Sequence, residues 1–224
     1  MRSDDLGPGL VFFPIVGLLL GGALYWTDLV LTGHLGPGLI GGLECGLLAF
    51  LTRGLHLDGL ADTADGILSS QPREKALAIM KDSSTGALGA MTLIILILIK
   101  TLALGEISAS GARQWLIIAP VLARNSLIVL AAFSRYAREG GGLGSHFCGR
   151  IAQKALIPAS LISLALAWIL GGASGAAAWA LTLTLGLTSS IWFKNRLGGI
   201  TGDCLGAHLE VVEATVLVIG TFKA

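Results

Sequence analysis

Long apolar runs separated by short polar connections make up most of this 224-residue chain. Seven runs can be recognised, at 10–27, 36–54, 86–105, 115–134, 155–171, 175–193 and 206–222. Several approach the ~20 residues that an α-helix needs to cross a bilayer. The last run is short and contains Glu210 and Glu213, so we expect it to be tilted, partly buried in protein or re-entrant. The pattern predicts an all-α, polytopic membrane bundle with about seven transmembrane segments.

Composition agrees with a membrane protein. Hydrophobic residues make up 54% of the chain and charged residues 13%, which is not the balance of a soluble domain. The 32 glycines suit close packing of helices in lipid. The net charge of +1 gives no reason to expect a nucleic acid partner. The three cysteines have neither disulfide-framework nor zinc-site spacing. The length predicts one membrane-embedded domain, residues 1–224.

Basic residues are distributed unevenly among the connections. The connections at 67–85, 135–154 and 194–205 carry Lys and Arg, whereas those at 28–35 and 171–175 carry none. The positive-inside rule therefore places the three basic connections and the N-terminus in the cytoplasm. We expect these connections to meet at one cytoplasmic rim of a protein in the cell membrane. One of them contains the glycine-rich run Gly140 to Gly144, which predicts a flexible loop.

The most informative polar segment reads HLDGLADTADG, residues 56–66. Its three carboxylates, Asp58, Asp62 and Asp65, have the spacing i, i+4, i+7, which places them on one helix face. Like charges on one face repel, and each is costly near a membrane, so a cation is expected to compensate them. Carboxylate oxygens are the ligands that Mg²⁺ prefers. The segment predicts a magnesium site, and the alternative is a solvated helix end just outside the bilayer.

Four further polar residues are candidates for phosphate chemistry. Lys81 and Asp82 precede the third run and could bind phosphate and metal, or could simply flank a helix. Arg124 lies within the fourth run, where a free charge is rare, so it either binds substrate phosphate or pairs with Glu44 or a site aspartate. Asp203 stands among glycines, which suits a second metal or phosphate locus.

His56 is expected on the helix face opposite the aspartates. There it is a polar residue at a helix end more readily than a catalytic base.

Four segments in order carry a resemblance to a known family. They read LTRGLHLDGLADTADG, REKALAIMKDSSTGALG, YAREGGGLG and RLGGITGDCLGAHLE, and FFPIVG precedes them. The chain resembles the cobalamin synthase family, the membrane-bound adenosylcobinamide-GDP ribazoletransferases. It departs from the family pattern at Ser84-Thr85, where an Arg is expected after MKDS. It departs again at Ala123-Arg124-Asn125, where the fourth span often reads GRW.

The resemblance implies a reaction in the last steps of adenosylcobalamin biosynthesis. Adenosylcobinamide-GDP would be joined to α-ribazole or its 5′-phosphate, with release of GMP, by an Mg²⁺-dependent enzyme. It implies metal ligation and catalysis by Asp58, Asp62 and Asp65, one of which could instead act as the base. Phosphate-binding roles would fall to Lys81, Arg124 and Arg138, and metal or ribose contacts to Asp82 and Asp203.

Two other classes of function remain open at this point. A membrane phosphotransferase of the CDP-alcohol phosphatidyltransferase kind also uses clustered aspartates, but its DGxxAR signature is absent after Asp58-Gly59. A cation-coupled transporter would carry acids at mid-span and an inverted repeat, whereas the acids here cluster at the rim. Neither a P-loop nor a dinucleotide-binding glycine motif is present.

Overall fold

The computed structural model describes residues 7–138 and 143–222. Most of the run Gly140 to Gly144, for which we predicted a flexible loop, lies outside the described residues. Within these ranges the fold is helical and contains no β-strand. The helices are α1 (Gly7–Leu10), α2 (Phe13–Leu31), α3 (Pro37–Leu51), α4 (Leu55–Leu68), α5 (Arg73–Ile79), α6 (Ala87–Ser110), α7 (Gln114–Ala132), α8 (Arg150–Leu197) and α9 (Gly202–Gly220), with a short 3-10 helix at Leu143–Phe147.

The all-α membrane bundle is confirmed, and each of the seven predicted runs is largely helical. Helices α2, α6, α7 and α8 are long and apolar enough to cross a membrane. The pair α3–α4, bent by 91° at its break, makes a fifth candidate if it is counted as one broken span. Because α4 turns away from α3 and carries the three aspartates, we place it outside the spanning part of that pair. Seven spans remain a prediction.

Helix α8 is two helices joined at a sharp break, which corresponds to the predicted division between the fifth and sixth runs. Gly172 has φ 56° and ψ −138°, a conformation outside the helical region. Three residues later, Gly175 approaches the first arm so closely that an added Cβ would lie 2.0 Å from the carbonyl oxygen of Ala167. The arms 150–171 and 173–197 therefore fold back on each other as a helical hairpin.

Helix α7 is the centre of the bundle. Of its spanning part 94% is buried inside the protein, against 28% for α2. Both arms of α8 bind it through hydroxyl groups. On the first arm, Ser160 Oγ donates to Asn125 Oδ1 at 3.2 Å, and against the second, Ser126 Oγ donates to the Thr182 carbonyl oxygen at 2.7 Å. The surrounding helices leave large apolar side chains on the outside, as a lipid-facing surface requires.

The three basic connections meet at one end of the bundle. Arg73 donates to the carbonyl oxygens of Leu197 at 2.8 Å and Ala137 at 3.0 Å, so one side chain joins all three connections. The backbone N–H of Ala137 also donates to the carbonyl oxygen of Ile200 at 2.9 Å. The expectation that these connections share one rim is confirmed.

Two glycines bring α4 against the start of α9. A Cβ on Gly59 of α4 would lie 2.8 Å from the backbone oxygen of Asp203. A Cβ on Gly206 of α9 would lie 3.1 Å from the Cα of His56. Only residues without side chains allow this approach of two backbones. The aspartate-bearing helix and the N-terminus of α9 are thereby held in direct contact at the rim.

Candidate active site

A cavity of about 570 Å³ opens at the rim where α4 meets the N-terminus of α9. It brings together four predicted site residues from different parts of the chain: Asp58, Lys81, Arg138 and Asp203. His56 and Tyr136 complete its polar lining. A cavity with a few convergent polar groups is the usual form of a small-molecule site.

Arg138 and Asp203 form an ion pair inside this cavity. Arg138 Nη2 donates to Asp203 Oδ2 at 2.9 Å and to the Met80 carbonyl oxygen at 3.2 Å. Thr201, the N-cap of α9, donates its hydroxyl to the same Asp203 oxygen at 3.1 Å. Arg138 Nε is buried and has no partner among the described residues.

The structure separates the three aspartates of α4. Asp65 accepts the backbone N–H of Gly86 at 2.7 Å through one oxygen and that of Gly89 at 2.8 Å through the other, so it caps the start of α6. The side chains of Asp58 and Asp62 have neither a hydrogen bond nor an ion pair within the described part of the chain. Two of the three predicted ligands are therefore free for a metal, and the third already has two donors.

The surroundings of Asp62 carry more negative than positive charge. Partial burial raises the pKa of this carboxyl to about 6, and the negative charges of Asp58, Asp203 and Asp65 add to that effect. Arg138 is the one neighbour that lowers this pKa. A site with this excess of negative charge fits a cation.

The residues present fit a magnesium ion that arrives with phosphate. No three His, Cys, Asp or Glu side chains converge on one metal position anywhere in 7–138 and 143–222. Mg²⁺, however, is commonly held by one or two carboxylates together with substrate phosphates and water. Asp58 and Asp62 would supply two such carboxylates.

Asp82 is fully exposed and does not line the cavity. Its carboxylate accepts the Ser84 backbone N–H at 2.9 Å and the Ser84 hydroxyl at 2.5 Å, which hold its pKa below the usual value. The metal role predicted for Asp82 stays a prediction.

Arg124 does not line the cavity. It is buried in α7 and donates to Glu213 Oε2 of α9 at 2.5 Å. The predicted pairing with Glu44 or a site aspartate is wrong, since Arg124 donates to Glu213, about three turns into α9, instead. The two carboxylate oxygens of Glu44 are buried without a partner among the described residues. A substrate contact for Arg124 remains untested.

The sequence did not predict three features of the structure. His56 lines the same cavity as Asp58, although helix periodicity placed it on the opposite face. Tyr136 lines the cavity from a connection that the sequence singled out for its charge, its glycines and its family resemblance, not for this tyrosine. Lys100 lies buried in α6, and its position inside an apolar run was a usable signal of the kind that marked Arg124.

Comparison with known proteins identifies the family. The family profile of cobalamin-5-phosphate synthase matches residues 1–221. A protein named adenosylcobinamide-GDP ribazoletransferase from Acetivibrio thermocellus is 37% identical over 217 residues, covering 97% of this chain and 88% of the relative. The protein of the same name from Syntrophobacter fumaroxidans is 38% identical over 217 residues, with the same coverage. No solved structure matches. The chain belongs to the cobalamin-5-phosphate synthase family.

Proposed function

We propose that this chain is an adenosylcobinamide-GDP ribazoletransferase that acts on α-ribazole or its 5′-phosphate with Mg²⁺. The observation that carries the proposal is the cavity itself. It joins two cations, Lys81 and Arg138, to Asp58 and Asp203 in a chain whose relatives bear that name. Cations, carboxylates and a helix N-terminus in one pocket are what transfer of a phosphoryl group requires.

The proposed reaction forms one P–O bond and breaks another. The 3′-hydroxyl oxygen of the acceptor attacks the phosphorus next to the aminopropanol arm of adenosylcobinamide-GDP. The bond from that phosphorus to the bridging oxygen of the pyrophosphate breaks, and GMP leaves with the bonding electrons. The hydroxyl proton passes to a base. Such a transfer depends on positioning and charge stabilisation more than on covalent help.

Arg138 is the central phosphate ligand of this proposal. Its Nη2 is fixed by Asp203 and by the Met80 carbonyl oxygen, while its buried Nε has no partner in the described chain. The planar guanidinium is therefore already oriented when the pyrophosphate arrives. Lys81, which lines the same cavity, adds a second positive charge for the leaving GMP.

Asp58 and Asp62 would hold the magnesium ion, which would neutralise charge on the phosphate oxygens. The two carboxylates have no other partners in the described structure, and the negative charges of Asp58, Asp203 and Asp65 add to the effect of burial in raising the pKa of Asp62, a repulsion that a cation relieves. A carboxylate of this group that is not engaged by the metal is placed to accept the hydroxyl proton.

We propose that the cavity faces the cytoplasm and that the protein resides in the cell membrane. The rim around the cavity carries the basic connections, whereas the connections at 28–35 and 171–175 carry no Lys or Arg and the one at 106–114 carries a single Arg. The positive-inside rule supports that orientation.

Release of GMP tests the proposal directly. Purified protein in nanodiscs, given adenosylcobinamide-GDP, α-ribazole 5′-phosphate and Mg²⁺, should form GMP and a cobamide in equal amounts. Omission of the acceptor should stop both, and chelation of Mg²⁺ should stop both reversibly. GMP release independent of the acceptor, or release of CMP from a CDP-alcohol instead, would contradict the assignment.

A further inference from the structure

Part of the cavity lining is apolar and has no part in the phosphate chemistry. It is formed by Phe13, Leu127, Phe147 and Leu205, which we call the aromatic wall. The two phenylalanine rings contact each other, with centroids 6.3 Å apart and planes inclined by 46°. Leu127 and Leu205 belong to the buried core, and both rings pack against that core while remaining partly accessible.

The aromatic wall is held by the backbone of the bundle. Gly17 of α2 lies against the Pro120 carbonyl oxygen of α7, where an added Cβ would be only 2.6 Å away. Phe13 lies one helical turn before Gly17, so this contact fixes its height along α7. Phe147 ends the 3-10 helix that follows residues 139–142. Elements distant in sequence thus place two aromatic rings beside the charged groups.

Phe12, the neighbour of Phe13, has 59% of its surface exposed and does not line the cavity. Phe13 and Phe147, unlike Phe12, are accessible from a cavity that also contains charged groups. Apolar surface left in contact with water is unfavourable, and a flat ligand stacked on these rings would remove it.

We infer that the aromatic wall binds the base of the acceptor nucleoside, so that Phe13 and Phe147 select the lower-ligand base. This inference rests on the proposed function. The acceptor base of α-ribazole is a flat, largely apolar fused ring, and four hydrocarbon side chains suit it. The guanine of the donor would leave its hydrogen-bonding edge unsatisfied against them. The corrin is too large for a cavity of about 570 Å³ that must also hold phosphates.

The arrangement gives the acceptor an orientation. The aromatic wall and the Arg138–Asp203 pair line one cavity, so a base held on the wall directs its sugar hydroxyls towards the charged side. A purine base would desolvate its polar edge on the wall without gaining partners. The enzyme should therefore prefer a benzimidazole acceptor to a purine acceptor, and the two phenylalanines should carry that preference.

Kinetics of three phenylalanine variants test this inference. Phe13→Ala and Phe147→Ala should each raise KM for α-ribazole 5′-phosphate about 10-fold, the usual effect of losing one stacking partner. KM for adenosylcobinamide-GDP should change less than twofold, and the preference for α-ribazole 5′-phosphate over an adenine-containing acceptor should shrink. Phe12→Ala, the matched control, should change neither constant. Equal increases for donor and acceptor, or none for either, would overturn the inference.

Equilibrium dialysis with α-ribazole alone separates this inference from the proposed function, because it needs no turnover. The wild-type protein should bind α-ribazole saturably, and Phe147→Leu, which keeps an apolar side chain but removes the ring, should bind it several-fold more weakly. Thermal midpoints would verify that the variants are folded. Absence of acceptor-dependent GMP release would reject the proposed function. Unchanged α-ribazole affinity in folded Phe147→Leu would reject the aromatic wall.

Discussion

Arg124 of α7 and Glu213 of α9 form an ion pair in the interior of the bundle, with 2.5 Å between Nη1 and Oε2. The other Glu213 oxygen accepts from Lys100 of α6 at 2.7 Å, and Lys100 also reaches Glu210 at 2.8 Å. None of the four side chains is more than 5% exposed. Two cations and two carboxylates thus form a buried cluster without formal net charge that ties three helices together.

The two glutamates should contribute unequally to stability. Glu213 accepts from both cations, whereas Glu210 accepts from Lys100 alone. Glu213→Gln should therefore lower the thermal midpoint in detergent more than Glu210→Gln, since removing one partner of a buried pair typically costs about 3–5 kcal/mol. Both variants should be compared at one protein and detergent concentration. Equal midpoints for the two would contradict the shared role of Glu213.

Arg124→Ala should lower the folding stability of the protein and leave its affinity for substrate unchanged. It leaves Glu213 with Lys100 only, in a low-dielectric interior where an unpaired charge is costly. We expect lower yield and a lower thermal midpoint, with normal KM for adenosylcobinamide-GDP in the protein that survives. Arg150→Ala, at an exposed position, is the control. A stable Arg124→Ala protein with a raised KM would restore a phosphate-binding role.

The sequence predicted the depth of Arg124 but not its partner, for a physical reason. An Arg inside an apolar run must be compensated, so hydropathy alone marks it. Its partner lies 89 residues away, on a helix whose place beside α7 depends on the packing of the whole bundle. Local periodicity carries no information about that packing, so the sequence alone leaves Glu44 and the site aspartates as alternatives and does not identify Glu213.

The three aspartates of α4 should behave differently on substitution. Asp58→Asn and Asp62→Asn should lower kcat by about 100-fold or more, by analogy with loss of a charge-stabilising group. Neither should reduce stability, because each relieves repulsion between like charges. Asp65→Asn replaces one of the two oxygens that accept backbone N–H groups with an NH2 donor, so it should destabilise the fold by about 1–2 kcal/mol, as leaving one donor unsatisfied does.

Thermal midpoints and GMP-release rates of the three variants, measured side by side, test these expectations. Near-normal turnover in both Asp58→Asn and Asp62→Asn would contradict the proposed metal site.

Helix geometry predicted correctly that the three aspartates share one face of a helix at the rim, because their spacing fixes the face. It could not predict that the start of α6 lies against Asp65, since that contact depends on how α6 returns to the rim.

Arg138 should contribute to substrate binding more than to stability. Its pair with Asp203 is about one-quarter exposed on each side, and such pairs contribute up to about 1 kcal/mol. Arg138→Ala should nevertheless lower kcat/KM by about 100-fold, and Arg138→Lys should recover part of that loss, because Lys keeps the charge without the planar fork. Arg135→Ala, on the same connection but outside this cavity, is the matched control. Equal losses in both variants would assign Arg138 a purely structural role.

Cysteine labelling in intact cells tests the orientation of the rim. Lys75→Cys and Asn195→Cys lie at exposed positions of two basic connections, while His34→Cys and Ser174→Cys lie at exposed positions of the connections without Lys or Arg. In a Cys148→Ser background, a membrane-impermeant reagent should label only the latter two. The contacts of Arg73 require the first two to respond alike, whichever side they face. Opposite responses from these two positions would contradict the shared rim. External labelling of both would place the cavity outside the cell, away from a cytoplasmic supply of nucleotide-linked substrate.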